Sequence, residues 1–198
     1  MRSAVVLVGG EAKRANGQEK YFFTYEGKTF ISRLIGSLSQ VVDEIVLVAR
    51  DPEQCSRFDH LKSVRCITDI RKGIGPVGGL HAGVREVKGD LIFVAACDMP
   101  CINPEVVSCL FDLIGESDAA IPCWNNEMYE RLHAVYRRNA LLTYLEKCES
   151  RSLRGMVKDL DATYVPVERL GRYDPTLGTF RNINRLEELD KFNTTDRV

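Results

Sequence analysis

Several common classes of protein are excluded by what this 198-residue sequence lacks. No run of 18 apolar residues occurs, so no segment reads as a membrane span, and a membrane is not an expected partner. Neither sign of charge dominates. Lys and Arg number 27 against 28 Asp and Glu, a net of −1, so no global field gathers nucleic acid. Histidine is scarce, with three residues (His60, His81, His133) far apart in the chain. The seven cysteines contain no C-x-x-C pair; the nearest two, Cys97 and Cys101, bracket Asp98-Met99-Pro100, and structural zinc needs four close ligands. An odd number of thiols is expected to be reduced and structural. Only five apolar residues, Ala4 to Val8, precede Gly9-Gly10, too short for a secretory signal, so the expected location is cytoplasmic. Both the Walker A pattern and the G-x-G-x-x-G fingerprint are missing, as is any Cys-His or Ser-His arrangement for nucleophilic catalysis.

What remains is an ordinary globular composition, 44% apolar and 28% charged, without linker, repeat or charge block. One domain over residues 1–198 is expected, with a somewhat different second half after residue 117, richer in helix and with less regular strands. Short β-branched runs alternate with amphipathic stretches. Ser3–Val8, Glu44–Ala49, Ser63–Ile67 and Leu91–Ala95 read as strands. Thr29–Leu38 and Gly79–Val87 read as helices, and Asn103-Pro104 opens another, with Asn as cap and Pro in the first turn. Later come the strands Asp118–Pro122, Arg131–Tyr136 and Thr163–Val167, with helices over Asn139–Glu149, Ser152–Leu160 and Leu186–Phe192. This order predicts an α/β fold: a mostly parallel sheet between helical layers, three-layered and Rossmann-like.

Four stretches carry chemistry. The first, Gly9-Gly10 through Arg14 to Lys20, follows the first strand, where open α/β sheets bind ligands. Its glycines let bare backbone approach an anion, and Arg14 and Lys20 supply cations; an ordinary glycine turn with two solvated bases is the other reading. The second is Asp69 followed by Gly73, Gly75-Pro76 and Gly78-Gly79. That density of glycine is costly unless something must come close, though a tight turn into a helix uses the same residues. The third, Ala95-Ala96-Cys97-Asp98-Met99-Pro100, places a carboxylate at a strand's end beside two phosphate-type loops. Such a carboxylate suits Mg²⁺, which takes one or two protein carboxylates and completes its shell with phosphates and water; a lone Asp there is otherwise a helix cap. The fourth is Arg181-Asn182-Ile183-Asn184, whose two alternating Asn share one face if extended, so that one of them reaches a metal or phosphate, or caps the last helix.

In this order the four stretches resemble the molybdenum cofactor guanylyltransferase family, of the Rossmann-like nucleotidyltransferase group. Leu7 to Lys20 is similar to L-A-G-G-x-x-x-R-M-G-x-x-x-K, Gly75 to Leu80 to G-P-L-A-G-[IL], Cys97 to Pro100 to C-D-M-P, and Asn182 to Asn184 to N-[IV]-N. Leu132 to Tyr136 also resembles a mid-chain segment of many members. Two departures stand out: Arg14-Ala15-Asn16 replaces Arg-Met-Gly, and Arg185-Leu186 replaces Thr-Pro. A nucleotide-diphospho-sugar-transferase-like fold is implied by the resemblance, with transfer of GMP from GTP to molybdenum-loaded molybdopterin and release of pyrophosphate, dependent on Mg²⁺. It further implies that Leu7, Val8 and Gly9 meet the guanine, with Gly10, Gly75, Pro76 and Gly79 around the nucleotide. Asp69 would hold the nucleoside, Lys20 and Arg14 the triphosphate, and Asp98, with Asn184, the metal. Arg50 stands where the family has an Asn. On the acceptor side Arg131, His133, Arg151, Ser152 and Arg154 are candidates, and cofactor-donating or acceptor proteins are possible partners. Three readings stay open beside this one: CTP with the same pterin, GTP with adenosylcobinamide phosphate, and a non-catalytic GTP-binding module.

Overall fold

A computed structural model describes residues 1–9, 19–69, 75–125, 128–147 and 152–183. Arg2–Leu7 (β1), Glu44–Ala49 (β4), Arg65–Thr68 (β5) and Leu91–Ala96 (β6) are parallel neighbours. Ala119–Trp124 (β7) and Ala162–Pro166 (β10) extend the sheet beyond His133–Arg137 (β9), which runs antiparallel to both β6 and β7. Among the described residues the sheet has eight strands in the order β10-β7-β9-β6-β1-β4-β5, and Met128–Tyr129 (β8) pairs with β7. A small hairpin, Thr24–Tyr25 (β2) with Lys28–Thr29 (β3), stands apart and turns at Glu26 and Gly27, both at positive φ.

Continuous apolar runs make these central strands because both faces of the sheet are covered. Along β1, Ala4 and Val6 face one core with Ile45 and Leu47 of β4 and Phe93 of β6, under the helices Phe30–Leu38 (α1) and Pro104–Leu113 (α4). Val5, Val46, Val48, Ile92 and Val94 face the other, under Pro76–Glu86 (α3), Arg138–Lys147 (α5) and Leu153–Asp159 (α6). Two short helices, Pro52–Ser56 (α2) and Val167–Leu170 (α7), complete the described set. At Gly83 a Cβ would lie 2.4 Å from Val5 Cγ1, so α3 sits closer to the sheet than any side chain permits.

The sequence reading and the structure agree closely on β4, β6, α1 and α4. Helix α3 begins three residues before the expected Gly79, at Pro76, because Gly75 adopts φ 71° and ψ −157° and so turns the chain directly into Pro76 at the first helical position. The hairpin, α2, β8 and α7 were not expected, each being too short for periodicity to declare. The final helix expected over Leu186–Phe192 lies outside the described residues, as do Gly10, Arg14, Arg151 and Asn184. No helix among the described residues is long and apolar enough to cross a membrane.

Candidate active site

From β1 the chain moves outward through β4 and β5, then returns to the opposite side of β1 as β6. The strand order therefore reverses between β1 and β6, and a crevice opens beyond the carboxyl ends of the strands there. A cavity of about 720 Å³ occupies that place. Leu7 and Gly9 reach it from the end of β1, Asp69 from the end of β5, Gly75, Pro76 and Gly79 from the start of α3, and Asp98 from just beyond β6. Three of the four sequence motifs thus meet at one site.

Glycine sets the shape of this cavity by close approach. A Cβ at Gly9 would lie 3.1 Å from the backbone nitrogen of Arg50. One at Gly79 would lie 3.3 Å from Leu7 Cδ2. The floor is consequently bare backbone and aliphatic carbon, and the amino end of α3 opens onto it, with Gly78 N–H bonded back to Gly75 O at 3.2 Å.

Val8 stands apart from its neighbours. Its side chain is buried, its N–H donates to Val48 O at 3.0 Å, and its carbonyl accepts from Gln54 Nε2 at 3.2 Å. It shapes the site from beneath rather than lining it.

Lys20 lies on a 3-10 turn, Lys20–Phe22, and its Nζ sits 3.5 Å from Asp98 Oδ2. Both side chains are roughly a quarter exposed, so the pair is reachable from the cavity. The second oxygen of Asp98, Oδ1, is buried and has no hydrogen-bond partner among the described residues. A buried carboxylate oxygen without a donor is costly, and a hard cation or a donor on a ligand would satisfy it. Among the described residues no three His, Cys, Asp or Glu cluster to hold a metal; magnesium does not require such a cage, since phosphates and water complete its shell. The residues present fit such an ion. Burial beside the Asp98 charge pushes the Cys97 thiol up to about 12, which keeps it protonated and unreactive at neutral pH.

Arg50 also lines the cavity. Its Nε donates to Asp51 Oδ2 at 2.7 Å, a bond that, with the charges of Asp51 and Glu19, holds the guanidinium above its ordinary value against the opposing effect of burial. At the start of β9 Leu132 lines the cavity, and Arg131 lies over the Tyr129 ring at 5.3 Å. His133 points the other way. It is wholly buried between Phe93 and Phe180, its Nε2 3.2 Å from Thr179 Oγ1, and burial lowers it to about 3 despite the charge of Asp174. Ser152 caps α6 by accepting from the N–H groups of Arg154 and Gly155. The backbone of Ile183 donates to Asp98 O at 2.8 Å, so the residue before Asn184 is fastened to the loop that carries Asp98.

Residues 4–166 match the model of the MobA-like NTP transferase domain. The chain belongs to that family. It is 37% identical to a probable molybdenum cofactor guanylyltransferase of Methanosarcina mazei, an alignment covering 96% of this chain and 88% of that one. A second protein of the same name, from Peptoclostridium acidaminophilum, is 32% identical over 96% of this chain and 87% of its own. Among solved structures, molybdopterin-guanine dinucleotide biosynthesis protein A of Archaeoglobus fulgidus superposes with a TM-score of 0.83 at 31% identity, over the whole of both chains. As a MobA-like transferase the chain is a nucleotidyltransferase, and its mostly parallel sheet between helical layers is the family's architecture.

Two site residues escaped the sequence reading, Gln54 and Glu19. Glu19 fills an unspecified position of the Leu7–Lys20 motif, and Gln54 stands in no motif. Only the Asp51-Pro52 start of a short helix pointed toward Gln54, which lies on the first turn that Asp51 caps.

Proposed function

We propose that this protein transfers GMP from GTP to molybdenum-loaded molybdopterin, giving the guanine dinucleotide form of the cofactor and pyrophosphate. The observation that carries this is the meeting of Gly9, Asp69, Gly79 and Asp98 around one cavity at the sheet's switch point, with Lys20 beside Asp98. In balance, a phosphate oxygen of the pterin forms a bond to the α-phosphorus of GTP. The bond from that phosphorus to the β-phosphate bridging oxygen breaks, and its electron pair leaves with pyrophosphate. The attacking oxygen is already anionic near neutral pH, so the site needs no strong base. What it must supply is alignment of two anions and relief of their repulsion.

Leu7 and Gly9 present the aliphatic and bare-backbone surface on which a purine lies flat. Asp69 offers an acceptor to the nucleoside's donors, and the amino end of α3 faces negative charge. Lys20 neutralises the triphosphate, joined by Arg14 of the same sequence motif. Asp98, with Asn184, would hold Mg²⁺; when bound, the ion supplies charge neutralisation across the phosphates. The same reading makes residues 1–198 one domain, with the nucleotide side over about 1–117 and the pterin side over about 118–198, acting in the cytoplasm.

The test is pyrophosphate release from GTP in the presence of Mg²⁺ and molybdopterin. Asp98→Ala is expected to lower the rate by at least about 10²–10³-fold while the melting temperature stays near that of the parent. Retained Mg²⁺-dependent release in that variant would overturn the role of Asp98. Equal turnover with CTP would move the base preference.

A further inference from the structure

A carboxylate next in sequence to a lysine that binds a triphosphate is an unfavourable neighbour for phosphate, unless its charge is cancelled and its position fixed. Both conditions are met at Glu19. Its side chain is only 9% exposed. Arg57 Nη1 donates to its Oε2, as does the Tyr21 hydroxyl, while Arg50 Nη2 lies 3.6 Å from Oε1. Gln54 Nε2 donates to Oε1 at 3.2 Å.

Gln54 itself is fully buried and uses both ends of its amide. Its Oε1 accepts from the backbone N–H of Arg50 at 2.7 Å, and its Nε2 also donates to Val8 O at 3.2 Å. One side-chain amide therefore ties the end of β1, the end of β4 and the carboxylate of Glu19 together. Nearly burying a carboxylate between two guanidinium groups seldom adds much stability, since desolvation offsets most of the attraction. Its return is a fixed position. The backbone of Lys20 is one peptide bond from that fixed point, and Phe22 N–H donates to Glu19 O at 3.0 Å to set the turn that carries the lysine.

We infer that Glu19, anchored by Gln54 and Arg57, is a positioning residue that aims Lys20 at the β- and γ-phosphates of the nucleotide. The inference rests on the proposed role of Lys20, and the two are separable by experiment. GTP and GMP binding, each with Mg²⁺, is measured by titration calorimetry in the parent, Glu19→Gln, Arg57→Met, Lys20→Ala and the Glu19→Gln/Lys20→Ala pair. Misplacement of a binding group by about 1 Å costs up to about 100-fold, so Glu19→Gln and Arg57→Met are expected to weaken GTP by about 10- to 100-fold. GMP, which lacks the phosphates Lys20 would hold, is expected to bind as in the parent. In the Lys20→Ala background Glu19→Gln is expected to add nothing further.

General damage to the pocket would weaken GMP as much as GTP and add to Lys20→Ala; either result overturns the inference. An unchanged GTP affinity in Lys20→Ala would instead overturn the role of Lys20, and the inference with it. Arg57 lies at the surface, so Arg57→Met keeps the question answerable if Glu19→Gln fails to fold.

Discussion

The two ends of the sheet treat polar groups in opposite ways. On the side of β5, β4, β1 and β6, polar residues gather at the carboxyl edge and remain reachable: Asp69, Asp98 and Arg50 line the cavity, and Lys20 pairs with Asp98. On the side of β9, β7 and β10, comparable residues turn inward and are used up. His133 meets Thr179, Thr179 Oγ1 accepts from Asn103 N–H, and Asn103 Nδ2 donates to Tyr173 O, a chain that fastens residues 173–179 to the start of α4. A residue's chemistry is thus no guide to its use without its direction. His133 and Asp98 each stand at a strand position one would inspect for function, but one closes the core and the other opens onto the cavity.

The largest expected effect on stability tests how tightly the parallel side is packed. Gly83→Val places carbon where Val5 and Val48 already are, and is expected to cost about 1–3 kcal/mol, a drop of several degrees in melting temperature by calorimetry. A variant as stable as the parent would mean that α3 can lift from the sheet.

The next probes the inward-turned side through pH. His133 is held at about 3 when folded, against about 6.5 when the chain is unfolded. Between those values the unfolded state binds the extra proton, so stability falls as pH falls from about 6.5 toward 3 and is recovered above it. Urea titrations from pH 7 to 5 are expected to show a slope from this residue of at most about 1.4 kcal/mol per pH unit. In His133→Phe, which keeps an aromatic ring against Phe93 and Phe180, that part of the slope should vanish. Persistence of the full slope would place the proton elsewhere.

The smallest effect belongs to the outer edge of the parallel side. Arg65 bridges Glu44 and Glu86 there, at 3.3 and 2.9 Å, with Arg65 and Glu86 nearly half exposed and Glu44 largely covered. Arg65→Ala is expected to cost less than about 1 kcal/mol, and less still in high salt.

Much of the first side was legible in the sequence because its signals are local. Buried parallel strands read as unbroken apolar runs, and β4 follows Glu44–Ala49 to the residue. Gly9, Asp69 and Asp98 fell just beyond expected strands, with Gly79 in the glycine-rich stretch after Asp69, and strand ends are where this architecture gathers ligands. Gln54 was invisible for the opposite reason. Its partners lie 46 and 35 residues away, at Val8 and Glu19, and nothing in the local pattern distinguishes a buried hub from a solvated glutamine. The hairpin at Glu26-Gly27 was missed because Glu-Gly is a weaker turn signal than Asn-Gly or Asp-Gly. His133 sits in an apolar run, and its environment is decided by Phe180, distant in sequence.

The reversed course of β9 has one more consequence. Because it runs against β6, with His133 opposite Ala95, its opening residues lie level with the closing residues of β6, and Leu132 shares the cavity with Ala96. One wall of the cleft is therefore where a strand enters the sheet, and the facing wall is where another leaves. Insertions ahead of Arg131 would lengthen the first wall while Asp98 and its neighbours kept their places. The fold thereby separates two kinds of evolutionary freedom, so that one wall of the cleft can change in length while the wall that carries Asp98 is inherited intact.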